Sequence, residues 1–220
     1  MGGTVLRQHK DSLIVCLCCG IAWVSVVQHS IRNSKGIQYT LESRDVGITM
    51  QYIIPGERKD IEIFLDAKLF GIWYVWIFPH RGYVSVGCGC DPRAILPRTL
   101  RKNFHKWMQE RGIDSSKGRY ESCPINVDFR GYRFGNIFLI GDAAGLASSL
   151  TGEGIYQALI SGEEIAKLIL NPKHSPAKLE KIIAEKKEES AMMKRLNSKL
   201  KKYGPGPKIE QELVKLFEEA

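Results

Sequence analysis

Three scarcities narrow the reading of this 220-residue sequence. Its six cysteines, Cys16, Cys18, Cys19, Cys88, Cys90 and Cys123, form no paired C-x-x-C ladder with accompanying histidines, so no zinc-type metal site is expected. Most lie inside apolar or strand-like runs, where free cysteine packs as a small hydrophobe, and that usage points to a reducing, cytoplasmic setting. No internal repeat is present, which excludes solenoid and propeller arrays. With 44% apolar, 25% charged and 9% aromatic residues, the composition also excludes disorder, a collagen-like chain and a multispan membrane protein. What remains is one large folded domain or two small ones, long enough to bury a core without staples.

Acidic residues are in deficit, 24 against 32 lysines and arginines, a net charge of +8. Such a balance favours nucleic acid or an anionic membrane surface. Residues 177–202 carry nine of the basic residues against four glutamates. Lysine and glutamate are interspersed there as on a solvated helix, and aromatic interleaving is absent, so nucleic acid is not expected and a lipid surface is the better partner.

Formal charge is missing altogether from residues 12–31. The apolar run 13–27 follows Arg7, His9 and Lys10, the outline of a membrane anchor or signal segment. Gly20, Ser25, Gln28, His29 and Ser30 dilute it, and its strongly apolar part is short for the roughly 30 Å of a bilayer core. A spanning or anchoring helix, a buried strand and an atypical start to the chain all remain open.

From Gly36 the pattern becomes regular. Residues 46–54, 60–66, 72–78 and 83–90 are short runs rich in β-branched and aromatic residues, separated by turn signals at Pro55-Gly56, Gly71 and Arg81-Gly82, and predict an antiparallel meander. Residues 96–111 have helical spacing in Leu100, Phe104, Trp107 and Met108 and stop at Gly112, and 119–128 resumes as a strand. A strand at 136–140, a glycine-rich passage at 141–154 and a helix at 155–170 ended by Asn171-Pro172 follow. A long Lys/Glu-rich helix then runs to about Tyr203, and a short one closes the chain after Gly204-Pro205-Gly206-Pro207. The expected fold class is α+β.

Strand, glycine-rich loop, helix is the phosphate-binding grammar of α/β proteins. A helix opening at Thr151-Gly152-Glu153-Gly154 presents unpaired N–H groups, and glycine lets a ligand come close to the main chain. Ile155, Ala158, Leu159, Gly162, Ile165, Ala166 and Ile169 recur at helical spacing, predicting a helix held tightly on a sheet. Asp142, at the end of the strand, can accept hydrogen bonds from sugar-like hydroxyls or can simply cap a turn; spacing leaves both readings open.

Gly141-Asp142-Ala143-Ala144-Gly145, followed by Leu150-Thr151-Gly152-Glu153-Gly154-Ile155-Tyr156 and Ala158-Leu159, resembles the second flavin-binding motif of the geranylgeranyl reductase family, FAD-dependent oxidoreductases related in fold to the para-hydroxybenzoate hydroxylase class. The resemblance implies FAD as cofactor, with Gly141 and Asp142 at the ribityl chain and Thr151, Gly152, Glu153 and Gly154 facing the pyrimidine edge of the isoalloxazine. A helix N-terminus there would stabilise the negative charge of a reduced flavin. Trp73-Tyr74-Val75-Trp76-Ile77-Phe78-Pro79 is similar to the family's Y-x-W-x-F-P motif, and Val86-Gly87-Cys88-Gly89 to the V-G-x-G strand after it. The resemblance implies a substrate surface built from Tyr74, Trp76, Phe78, Pro79, Gly87 and Gly89. With period two, the three aromatics share a face and would wall an apolar slot, and the two glycines would leave room beside it. Read without the resemblance, the same aromatics serve as core packing.

The expected domains are an atypical segment at 1–35, a substrate-binding sheet at 36–128, a second FAD-motif segment at 129–171 and a helical region at 172–220. Three departures stand beside the resemblance. The chain holds no G-x-G-x-x-G turn for the ADP part of FAD, Ser149 replaces a frequent proline before the L-T-G-E-G run, and Gly71 replaces another before the Y-x-W motif. Residues 1–35 stand where relatives have the end of their first FAD-binding segment, so a truncated, split or frameshifted frame is one expectation. The implied function is an FAD-dependent reductase that saturates double bonds of a polyprenyl, geranylgeranyl-type lipid at a membrane surface, with electrons from a separate donor. The alternative is an inactive fragment or interaction module that keeps the substrate-domain fold. No proton donor is identified; His80 and Tyr74 lie near the motif but have ordinary structural roles open to them.

Overall fold

The structure, a computed structural model, describes residues 5–9, 12–17 and 46–219, with side chains from 46 to 218. In chain order the elements are β1 (Val5–His9), β2 (Ser12–Leu17), β3 (Val46–Pro55), β4 (Glu62–Leu65), α1 (Ala67–Phe70), β5 (Tyr74–His80), β6 (Tyr83–Cys90), α2 (Pro97–Glu110), β7 (Arg119–Asn126), β8 (Arg133–Phe134), β9 (Ile137–Gly141), a 3-10 turn (Asp142–Ala144), α3 (Ile155–Leu170), α4 (Ala177–Tyr203) and α5 (Pro207–Glu219). They form an α+β architecture in two compact units. One contains β1, β2 and Pro124–Ala191; the other contains Gly47–Cys123 and the chain from Met192. Both units are discontinuous in sequence: β2 pairs in parallel with β9, with Leu13 opposite Ile137, and α4 divides between the two.

The second unit is built on a five-stranded sheet of order β4-β5-β6-β3-β7. β4, β5 and β6 follow the expected meander, but β3 lies between β6 and β7. Its alternating Ile48, Met50, Tyr52 and Ile54 extend the apolar face beside Val84, Val86, Cys88 and Cys90. α2 starts with Pro97 in its first turn, where the missing N–H costs nothing, and is followed by Gly112 at φ 63°. It lays Leu100, Phe104, Trp107 and Met108 on that face, with Phe70, Val75 and Ile77. Each fully buried side chain of this size stabilises the unit by about 2 kcal/mol.

In the first unit the sheet order is β1-β2-β9-β8. β9 is buried along its whole length, as a strand covered on both faces must be. α3 lies over it closely enough that a Cβ on Gly162 would stand 3.5 Å from Ile140 Cδ1. Leu179, Ile182 and Ile183 from the start of α4 complete this core. The packed face of α3 differs from the expected one. Ile155 and Leu159 are 71% and 68% exposed and Ala166 is exposed as well. Gly162 and Ile165 face inward as expected, and Ser161 joins them, its Oγ accepting the Gly141 N–H at 3.0 Å.

Of the apolar run at 13–27, residues 13–17 belong to β2, which carries out the strand reading that far; the remainder lies outside the described residues, as do Cys18, Cys19 and most of 1–35. Among the described residues no helix is long and apolar enough to cross a membrane.

Candidate functional site

The glycine-rich passage folds as a compact loop between β9 and α3. At its entry Gly141 takes φ 55°, and Asp142 begins the 3-10 turn, which Gly145 ends in the left-handed region at φ 73°. Gly145 is required twice over, since a Cβ there would also overlap the Asp128 carbonyl. Asn126, at the end of β7, is buried and ties the turn down: its Nδ2 donates to the Asp142 carbonyl at 3.0 Å and its Oδ1 accepts the Asp128 N–H at 3.1 Å. Further on, Ser148 N donates to Glu153 O at 2.7 Å and Gly152 N to Ser148 O at 3.1 Å, closing the loop on itself. Thr151 Oγ1 accepts the Glu153 N–H at 3.2 Å, and Gly152 takes φ 71°.

The loop brings Asp142 to the mouth of α3. The N-cap is Gly154, so no N-cap side chain covers the first amides of the helix. A Cβ on Gly154 would stand 2.5 Å from Asp142 Oδ1, so the carboxylate sits directly against that backbone. Asp142 is itself only 8% exposed. Asp142 and Gly154 are therefore in contact, with Gly141 preceding Asp142 at the strand end and Thr151, Gly152 and Glu153 more exposed beside them. One turn into α3, Gln157 Oε1 is buried with no hydrogen-bond partner among the described residues. Sequence reasoning missed Gln157, Asn126 and Ser161; a polar residue at an inward helical position was the available signal for the last.

Two more residues were missed, and both come from α4. Lys186 is 4% exposed; its Nζ donates to the Ala147 carbonyl and, at 2.6 Å, to Ser149 Oγ. Burial pulls its pKa down to about 8 against the opposing pull of Glu189, Asp128 and Asp142. Glu189 accepts from Ser148 Oγ at 2.5 Å, Ser149 N at 2.9 Å and Leu150 N at 3.2 Å. The apolar stripe Leu179, Ile182, Ile183, Met193 and Leu196 passes through positions 186 and 189, which marks both as inward-facing. The Lys/Glu-rich composition of the segment concealed this.

The second cluster lies in the other unit. Tyr74, Trp76 and Phe78 form a row, with ring centroids 5.8 and 6.0 Å apart, and Phe217 of α5 extends it at 5.1 Å from Tyr74. Two expectations are corrected here. No room is left beside Gly87 and Gly89, because a Cβ on either would overlap an indole, that of Trp76 at Gly87 and that of Trp73 at Gly89. Pro79 alternates to the other face of the strand, opposite Val84. A polar line also crosses this sheet: Trp76 Nε1 donates to Ser85 Oγ at 2.9 Å, Ser85 Oγ to Gln51 Oε1 at 2.7 Å, and Gln51 Nε2 to Glu121 Oε2 at 2.8 Å. His80 is exposed and stacks on Tyr83 at 4.6 Å.

The chain is 30% identical over 181 residues to digeranylgeranylglycerophospholipid reductase 2 of Methanothermobacter thermautotrophicus, an alignment covering 77% of this chain and 46% of the relative. The chain is thus similar in sequence to the geranylgeranyl reductases. It is also 31% identical over 161 residues to the chloroplastic geranylgeranyl diphosphate reductase of Oryza sativa, covering 71% of this chain and 32% of that protein. It therefore spans about half, or less, of the length of these relatives. No family profile matches. Among solved structures, a geranylgeranyl bacteriochlorophyll reductase-like protein of Thermoplasma acidophilum has a TM-score of 0.55 at 19% identity, covering 96% of this chain and 49% of that one. A probable FAD-dependent monooxygenase of Pseudomonas aeruginosa has 0.54 at 12%, covering 96% and 65%. The chain thus shares its fold with these two proteins.

Proposed function

We propose that this chain carries the ribityl- and isoalloxazine-facing half of an FAD site and acts in the reduction of carbon–carbon double bonds of a polyprenyl lipid. The observation that carries the reading is the Asp142 carboxylate set against Gly154 at the uncapped start of α3. The residues present fit the group: Gly154 lets the Asp142 carboxylate lie against the helix mouth, where a larger side chain would collide with it, and Gln157 Oε1 is a buried acceptor with no partner among the described residues. Bound and reduced, FAD would supply the hydride for one alkene carbon, the other carbon taking a proton from an acid or water.

The work of the chain's own residues is binding and orientation. Asp142 accepts hydrogen bonds from ribityl hydroxyls, and the first amides of α3 oppose negative charge on the ring edge. Trp76 and Phe78, partly exposed and stacked, with the buried Tyr74 tilted beside them, offer an apolar wall suited to an isoprenoid chain, and Gly87 and Gly89 act as seats for the indoles rather than as open floor. The electrons come from a separate donor. Exposed Lys178, Lys181 and Lys187 of α4 suit an anionic lipid surface, and binding to anionic but not neutral vesicles, lost at high salt, is the corresponding result.

Titration of the purified chain with FAD, followed by flavin fluorescence, tests the proposal: quenching that saturates supports it. A second reading, an inactive interaction module, draws on the lack of a G-x-G-x-x-G turn among these 220 residues. Unchanged fluorescence favours that reading.

A further inference from the structure

We propose that Lys186 and Glu189 of α4 are positioning residues for the flavin loop, acting through the 147–150 backbone to hold Asp142 and the mouth of α3 in place. The proposal rests on the flavin reading above and goes beyond it in assigning a role to a helix that the binding motif does not contain.

Four consecutive loop residues are fastened to one turn of α4. Lys186 takes the Ala147 carbonyl and Ser149 Oγ; Glu189 takes Ser148 Oγ and the amides of Ser149 and Leu150; Ser190 Oγ meets Ser149 Oγ at 3.0 Å. Positions 186, 189 and 190 are spaced i, i+3, i+4 and so share a face. Ser148 Oγ, held by Glu189, in turn accepts the amides of Leu150 at 3.2 Å and Thr151 at 2.9 Å. The fastening thus reaches the rim of the proposed site within the hydrogen-bonded loop itself.

Ser149 matters in particular. A proline at this position would stiffen the chain but would lack the N–H that Glu189 accepts. This chain holds the same stretch with charged groups from a neighbouring helix instead. The charges facing Lys186 are Glu189 on its own helix and Asp128 and Asp142 from the loop side, so its ammonium also balances the carboxylate proposed to bind ribityl. Loss of that proton leaves three carboxylates around an uncharged amine. Cofactor affinity is therefore expected to change across the Lys186 titration, near pH 8.

The test uses the full chain and the variants Lys186→Met, Lys186→Arg and Glu189→Gln. Amide hydrogen exchange is measured without flavin, and FAD affinity is measured by fluorescence from pH 6.5 to 9.5. Expected are exchange at 149–151 faster by about tenfold in Lys186→Met and Glu189→Gln with β9 still protected, and FAD binding weaker by about tenfold. Lys186→Arg should restore part of both, and the break near pH 8 in wild-type affinity should vanish in Lys186→Met. Unchanged exchange in both variants overturns the fastening. A loosened loop with unchanged FAD affinity and pH profile overturns the positioning role. Absence of FAD binding by the wild type overturns the flavin reading instead, and the exchange arm, which needs no flavin, still decides whether the fastening exists.

Discussion

The carboxylate of Asp142 and the backbone of Gly154 are in contact across a loop of eleven intervening residues, leaving 2.5 Å between Oδ1 and the place a Cβ would take. Gly154 has a negative φ of −141°, outside the left-handed region, and the nearest atom a Cβ there would meet is Asp142 Oδ1. Gly154→Ala should therefore push the carboxylate aside and weaken FAD binding by about tenfold or more, while costing stability no more than an overpacked core position, about 1–3 kcal/mol. Fluorescence titration beside urea unfolding separates the two effects.

The indole of Trp76 occupies the space over Gly87, its cross-strand partner, and hydrogen-bonds Ser85 on the same strand as that glycine. Gly87→Ala should displace the ring and break the line from Trp76 to Glu121, at a cost of about 1–3 kcal/mol or more. A blue or red shift of tryptophan emission together with a lower urea midpoint would register it. An unchanged midpoint would mean that the ring has room to move.

Burial drives the thiol of Cys88 well above its ordinary pKa, with Cys90 adding to the effect, and burial with Asp91 pushes Cys90 up to about 12. Both should resist iodoacetamide at pH 8 in the native protein and react on unfolding, whereas the half-buried Cys123 should be modified earlier. Peptide mapping by mass spectrometry checks the order.

Lys186 also links stability to pH. Its folded pKa, about 8, lies below the 10.5 of an unfolded lysine, so between these values the unfolded chain holds the extra proton. Stability from this group therefore rises with pH across that window and is flat below it, by up to about 1.4 kcal/mol per pH unit. Urea unfolding at pH 7, 8 and 9 should show the gap between wild type and Lys186→Met shifting in favour of wild type above pH 8; a constant gap would contradict it.

Elements governed by local chemistry were legible in the sequence. α3 runs from Ile155 to Leu170 as its spacing and the Asn171-Pro172 stop indicate, and β6 and α2 fall within a residue of expectation. Contacts between residues far apart in sequence were not. β3 inserts beside β6 through pairing over some forty residues, and β2 reaches β9 across more than a hundred; no periodicity encodes a partner. In the glycine-rich passage, Asp142 and Gly154 could be singled out from sequence because glycine and aspartate mark backbone geometry, and the two are in contact. Gly87 and Gly89 were misjudged for the complementary reason, since a missing side chain states that something comes close without stating what. Lys186 and Glu189 were hidden because a lysine and a glutamate that turn inward to a loop have the same letters as solvated ones.

The most direct measurement is FAD titration of the full chain and of Asp142→Ala, with circular dichroism to establish equal folding. The account predicts saturable quenching of flavin fluorescence by the wild type and affinity lower by about tenfold or more in the variant, as expected when a charged hydrogen-bond acceptor is removed. Equal affinity of the two proteins, or no binding by either, would contradict it.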